Sequence, residues 1–296
     1  MTIAIGLVCT DGVVLGTDLQ YTGSYEKFPG KKLWQLCPER QGTIILTGAG
    51  NPTSIDHVKR IAETEIRKGS GSTEDVIYAL EAGLRSLYSL HIDVAPKESQ
   101  SAMEVWIMLA MRDGSGFRLF HNDRSVLAGV ERINCSGLGL YVGYTMLDLL
   151  LPKYCTVDLA AQIVAYVLAH SKEWSQDVGK GSNVHLLYDS GHWESLLVPE
   201  RQKVESAFID VLGEIPYLIG CCEKYIPPDL FESQVDKRLL DLKEKLRHII
   251  VLQREQQERR EQRAKRLREL QDPELTRGDS QPQPPSLESP GGSGES

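Results

Sequence analysis

The chain has 296 residues, 41% of them hydrophobic and 25% charged, and a formal net charge of -8. That length and mixture describe a globular protein able to bury a substantial core in one large or two small domains, and the acidic balance argues against a surface built to neutralise nucleic-acid phosphates. The longest purely apolar run, Val105 to Met111, is too short for a bilayer, and the opening has neither the basic nor the apolar region of a secretion signal. The expectation is therefore a soluble cytoplasmic protein with no membrane partner.

In chain order, Thr2 to Cys9 and Val13 to Asp18 read as two apolar strands joined through Asp11-Gly12, a strong hairpin signal. Short strands are predicted at Lys32 to Leu36 and Thr43 to Thr47. The period then becomes helical over Pro52 to Lys68 and Ser72 to Ile92, the second with an apolar stripe through Val76, Leu80, Leu84 and Leu87. A second hairpin is predicted in EVWIMLAMRDGSGFRLFHND, turning at Asp113-Gly114-Ser115-Gly116. Helices over Gly139 to Leu150 and Thr156 to Trp174 follow, then two strands, NVHLLYD and HWESLLV, joined through Ser190-Gly191. Helices arriving in blocks between antiparallel strand groups predict a layered α+β body rather than alternating βαβ units.

Past residue 200 the composition changes. Val204 to Cys222 reads as a helix that Pro227-Pro228 breaks, and Leu230 to Leu270 as a long helix whose stretch Arg254 to Arg268 carries seven Lys/Arg against three Glu. Residues 271–296, rich in Pro, Gly and Ser, read as disordered. The expected organisation is a body over 1–199, a helical extension over 200–270 and a tail over 271–296, with no internal repeat.

The six cysteines contain no CxxC pair, so reduced structural thiols are expected, with no metal and no cofactor. GLGLYVG at 137–143 has the wrong glycine spacing for a dinucleotide loop, Gly179-Lys180-Gly181-Ser182 lacks the earlier glycine of a phosphate loop, and there is neither a GxSxG elbow nor an HExxH pair. What remains is the amino terminus. Methionine before a small residue is commonly removed, which would give Thr2 a free α-amine with an ordinary pKa near 8, able to serve as base for the hydroxyl of the same residue.

TIAIGLVCTDGVVLGTD, then KKLWQL, then GTIILTGAG resemble the β-type subunits of the proteasome family, including the bacterial HslV peptidase. The resemblance covers roughly residues 2 to 199 and implies a four-layer αββα sandwich of the N-terminal-nucleophile hydrolase kind. It places Thr2 as nucleophile, Asp18 and Lys32 as the charged pair beside it, and the Gly48 amide as an oxyanion donor. Family members carry a serine in a Gly-Ser-Gly segment and an Asp with a Ser three residues on. Here Leu138 stands in the first slot with Ser136 close by. Asp177 is near the second pair, but Gly179 or Lys180 falls where its serine belongs, leaving Ser182 as substitute. Tyr21, Trp34 and Leu46 would lie near a bound side chain and give an apolar preference.

The hairpin supplies an internal test. A two-residue turn at Asp11-Gly12 would set Asp18 opposite Ile5, whereas a three-residue loop Thr10-Asp11-Gly12 would set it opposite Ala4, on the face of Thr2. The catalytic assignment requires the three-residue loop. The resemblance further implies a ring or ring-like homo-oligomer, a peptide or unfolded-protein substrate, and an ATP-dependent unfoldase partner. Two alternatives stand beside the threonine peptidase: an amidase using the same chemistry on a small amide, and a catalytically silent structural subunit.

Overall fold

The computed structural model describes residues 3–22, 27–36, 43–68, 73–174, 178, 179, 181–196, 202, 203, 206, 207, 209–211, 213 and 228–271. Chain contacts divide it into two units, Met1–Leu246 and Arg247–Ser296. The strands are β1 (Ile3–Val8), β2 (Gly12–Asp18), β3 (Gln20–Thr22), β4 (Lys27–Pro29), β5 (Leu33–Leu36), β6 (Thr43–Gly50), β7 (Val105–Asp113), β8 (Gly116–Asp123), β9 (Val126–Gly129), β10 (Ile133–Gly137), β11 (Ser182–Tyr188) and β12 (Trp193–Ser195). The helices are α1 (Pro52–Arg67), α2 (Thr73–Leu87), α3 (Lys97–Met103), α4 (Leu140–Leu150), α5 (Val157–Trp174) and α6 (Pro228–Gln271).

Two five-stranded antiparallel sheets carry the body, one ordered β10-β1-β2-β11-β12 and the other β5-β6-β7-β8-β9; β3 and β4 form a separate ribbon. Side-chain alternation divides each strand between two apolar layers. On β1, Ile3, Ile5 and Leu7 join Val14, Val184, Leu186 and the inner face of α5, while Ala4 joins Leu15, Leu33, Ile45, Met108 and Leu119 between the sheets. A third layer packs Leu46, Ile107 and Leu109 against Ile55 and Val58 of α1 and Leu80 and Leu84 of α2. The result is the four-layer αββα sandwich. Each fully buried Leu or Ile contributes on the order of 1.5–3 kcal/mol, so the middle layer holds the two sheets face to face and the outer two hold the helices on them.

Helix α1 shows how local chemistry sets an element. Asn51 caps it by accepting from the amides of Thr53 and Ser54, and Pro52 opens it where its missing N–H costs nothing. The second hairpin turns as expected, with Asp113 facing Gly116 and its carboxylate accepting from the Ser115 amide at 2.8 Å. The helix expected to run to Ile92 ends instead at Leu87, and Tyr88–Ile92 is a wider π turn. The apolar stripe continues through both, so periodicity does not mark the change. The long helix forms over Pro228–Gln271. Much of the helix expected over 204–222 lies outside the described residues, as does the tail expected over 271–296 apart from Gln271, which ends the long helix.

The first hairpin adopts neither expected register. Its loop is Thr10-Asp11, closed by the Cys9 amide donating to the Gly12 carbonyl at 2.8 Å, and Ala4 faces Thr17. Continued by one step, that register sets Asp18 across from Ile3, not Ala4, so the three-residue loop that the catalytic assignment required does not form, and Asp18 meets the start of β1 through the Ile3 amide instead. Neighbouring elements decide it. Gly12 is drawn into β2 by pairing with Tyr188, the Asp11 carboxylate accepts from the Val157 amide at the start of α5, and the Thr10 amide donates to Cys155. Gly12 has φ +154°, and a Cβ there would lie 2.1 Å from the Leu187 carbonyl oxygen, so only glycine lets β2 and β11 close at this point.

Candidate active site

Asp18 ends β2, where the strand has delivered it fully buried at the rim of the first sheet. A buried carboxylate needs partners, and this one accepts four hydrogen bonds. Oδ1 receives the Ile3 amide at 3.1 Å and Lys32 Nζ at 3.0 Å; Oδ2 receives the amides of Gln20 at 3.0 Å and Gly179 at 3.1 Å. Lys32 comes from the other sheet, one residue before β5, and is equally buried. Its ammonium also donates to the Gln20 carbonyl and lies 4.9 Å from the centre of the Tyr21 ring.

Burial pulls the Lys32 ammonium down to about 8, and the Asp18 carboxylate opposes that fall through its charge and its hydrogen bond. A lysine poised there is a cation at neutral pH that can release and regain a proton at little cost. Such a pair, dry and fixed by backbone donors, suits the stabilisation of an alkoxide or tetrahedral oxyanion formed beside it. The Lys32 carbonyl is engaged as well, accepting from the Gly48 amide at 3.2 Å and from Thr47 Oγ1 at 2.9 Å.

Thr2 lies outside the described residues; its neighbour Ile3 is held on both sides. The Ile3 amide donates to Asp18, its carbonyl accepts from Thr17 Oγ1 at 3.1 Å, and its side chain is buried against α5. The structure thus joins Asp18 and Lys32 directly, and Gly48 to them through backbone. Ser182 pairs with Asp18 across β2 and β11, yet its hydroxyl accepts from Lys172 of α5 at 3.2 Å. Ser136 sits opposite Ala4 on β10, its hydroxyl donating to Asn134. Asp177 lies outside the described residues.

The three residues expected near a bound side chain face the helical layer of the second sheet. Leu46 is fully buried there, Trp34 pairs with it across β5 and β6 beneath Lys59, and Tyr21 packs in the same layer with its hydroxyl donating to the Lys31 carbonyl at 3.1 Å. Sequence reading missed the backbone donors, above all Gly179. A Cβ on Gly179 would sit 2.0 Å from Gln20 Cβ, so glycine is what lets its amide reach Asp18. The glycine pair in Gly179-Lys180-Gly181 was the available cue. Among the described residues, no group of three or more His, Cys, Asp or Glu could hold a metal ion, and no helix is long and apolar enough to cross a membrane.

No protein-family model matches the chain. Its fold is nevertheless found in solved structures. Anbu (ancestral beta-subunit) from Yersinia bercovieri superposes with a TM-score of 0.64 at 14% identity, covering 76% of this chain and 98% of that one. Anbu from Hyphomicrobium sp. strain MC1 gives 0.61 at 13% identity over 76% and 100%. The helical assembly of the Anbu complex from Pseudomonas aeruginosa gives 0.59 at 14% over 72% and 97%. At these identities the likeness is one of fold, the proteasome-like fold of the Anbu structures, and nearly the whole of each neighbour is matched.

Proposed function

We propose that the chain is a threonine-type N-terminal-nucleophile peptidase, working as a subunit of a self-assembling proteasome-like complex. The observation that carries this reading is the buried Asp18–Lys32 pair, whose carboxylate also holds the amide next to Thr2. In the proposed reaction, with Met1 removed, Thr2 Oγ adds to a peptide carbonyl carbon while its proton passes to the α-amine of Thr2. The Lys32 charge stabilises the developing alkoxide, and Asp18 orients Lys32. The Gly48 amide turns from the Lys32 carbonyl to the new oxyanion. The amine then gives its proton to the leaving nitrogen, the C–N bond breaks, and an acyl ester remains on Thr2. Water adds to that ester and releases the acid, returning the proton to Thr2 Oγ.

Self-association belongs to the same reading, because a fold shared with a beta-subunit and with the Anbu helical assembly supports many copies acting together. Two observations favour a second reading, a catalytically silent assembly subunit: the Gly48 amide is already satisfied by the Lys32 carbonyl, and the position expected to carry a serine falls on Gly179 or Lys180.

Intact mass measurement and covalent trapping decide between them. The peptidase reading expects loss of Met1, a stoichiometric adduct with a peptide vinyl sulfone or epoxyketone, and no adduct with Thr2→Ala. Retained Met1 overturns it, as does an unlabelled protein in the presence of a reactive electrophile that labels a control enzyme.

A further inference from the structure

A cavity of about 350 Å³ opens at one end of the layer between the two sheets, and none of the residues placed in the reaction above lines it. Its walls nevertheless touch the strands that carry them. Trp106 is the cross-strand partner of Ala49, the residue after Gly48. Ser136 is the partner of Ala4, two residues after Thr2. Leu119 of β8 lies between the sheets, and alternation puts His121 and Asp123 on its face. Tyr141, on the first turn of α4, adds a phenol to the lining.

The lining is selective in charge. Asp123 is its one charged side chain, it contains no Lys or Arg, and the Asp123 carboxylate has no ion pair or hydrogen bond among the described residues. The adjacent arginine does not neutralise it: Arg124 takes φ +53°, pairs with Asp93 at 2.5 Å and lies over the Tyr88 ring. A carboxylate at the rim of a space walled by an indole and a phenol fits a group with an apolar stem and a cationic end.

We propose that this cavity is a side-chain subsite that takes a lysine or arginine of a peptide, with Asp123 pairing the cation and Trp106 and Tyr141 flanking the stem. The choice of a peptide as the molecule rests on the acyl-transfer reading; the charge preference rests on the cavity. The pairing is selective because neutral side chains of equal length fill the space without answering the carboxylate.

The test uses fluorescein-labelled hexapeptides that carry arginine, norleucine or glutamate at one position, scanned along the peptide. Their binding to the full-length Thr2→Ala protein is read by fluorescence anisotropy, and cleavage of the same peptides by the wild type is followed separately. At one position, arginine should bind about tenfold more tightly than norleucine, and Asp123→Asn should bring the two within twofold. Asp123→Lys should favour glutamate instead, which controls for a variant that merely loosens the fold. Equal binding of all three peptides, or an arginine preference that survives Asp123→Asn, overturns the subsite. An Asp123-dependent preference without any cleavage supports the subsite and refutes only the peptidase reading. Cleavage without charge preference does the reverse.

Discussion

Replacing Lys32 by methionine tests the physical account of the buried pair through pH. The folded protein holds the Lys32 ammonium at about 8 against an ordinary value of 10.5, so between those limits the unfolded chain binds more protons than the native one. Stability therefore rises with pH across that window, the reverse of the behaviour of a lysine that gains a partner and is raised. At one pH unit per 1.36 kcal/mol, the full difference is about 3 kcal/mol, and the part recovered between pH 7 and 9.5 is about 2 kcal/mol. The thioether of the variant cannot titrate, and the Asp18 carboxylate keeps the amides of Ile3, Gln20 and Gly179. Urea unfolding of wild type and Lys32→Met at pH 7 and 9.5 isolates the effect, because other titrating groups cancel in the difference. The wild type should gain about 2 kcal/mol on the variant as pH rises. A difference that stays constant, or falls, refutes the claim that burial dominates at Lys32.

His185 of β11 is buried between the sheets, 5.8 Å from the Trp193 ring, and burial together with the nearby Lys31 charge lowers it to about 4. Its neutral form is thus part of the fold, and that contribution is lost as pH falls from about 6.5 towards 4. Wild type should lose about 2 kcal/mol relative to His185→Phe between pH 7 and 4.5 in denaturant titrations, and equal losses would contradict the assignment. Gly179→Ala should displace the amide that reaches Asp18, cutting any Thr2 labelling rate tenfold or more while thermal stability falls by only a few degrees. An unchanged labelling rate would show that this donor does not position the carboxylate.

The layers were readable because the apolar periods were clean. VVLGTD, VWIMLAM and the α2 stripe each announce a period and a length. Strand β10 is different: INCSG has neither alternation nor a β-branched run, and it is a strand because β1 needs a partner on that side. Likewise the short ribbon Gln20–Thr22 with Lys27–Pro29 has too few residues to show a pattern. The hairpin register failed for a related reason, since Gly12 answers to Tyr188, which lies 176 residues further on. At the candidate site, the Asp18–Lys32 pair could be anticipated because the resemblance rests on side-chain identity and order. The Ile3, Gln20 and Gly179 donors could not, because every residue but proline owns an amide and only the fold decides where it points.

The four donors to Asp18 come from positions 3, 20, 32 and 179, so the carboxylate is satisfied only when the last of these has been made and folded back. A chain emerging from the ribosome holds its first hairpin long before it holds Gly179. During that interval Asp18 has only part of its cradle and β2 lacks β11 at its side. The buried Asp18–Lys32 pair is therefore completed only late in synthesis, once Gly179 has been added and docked beside β2.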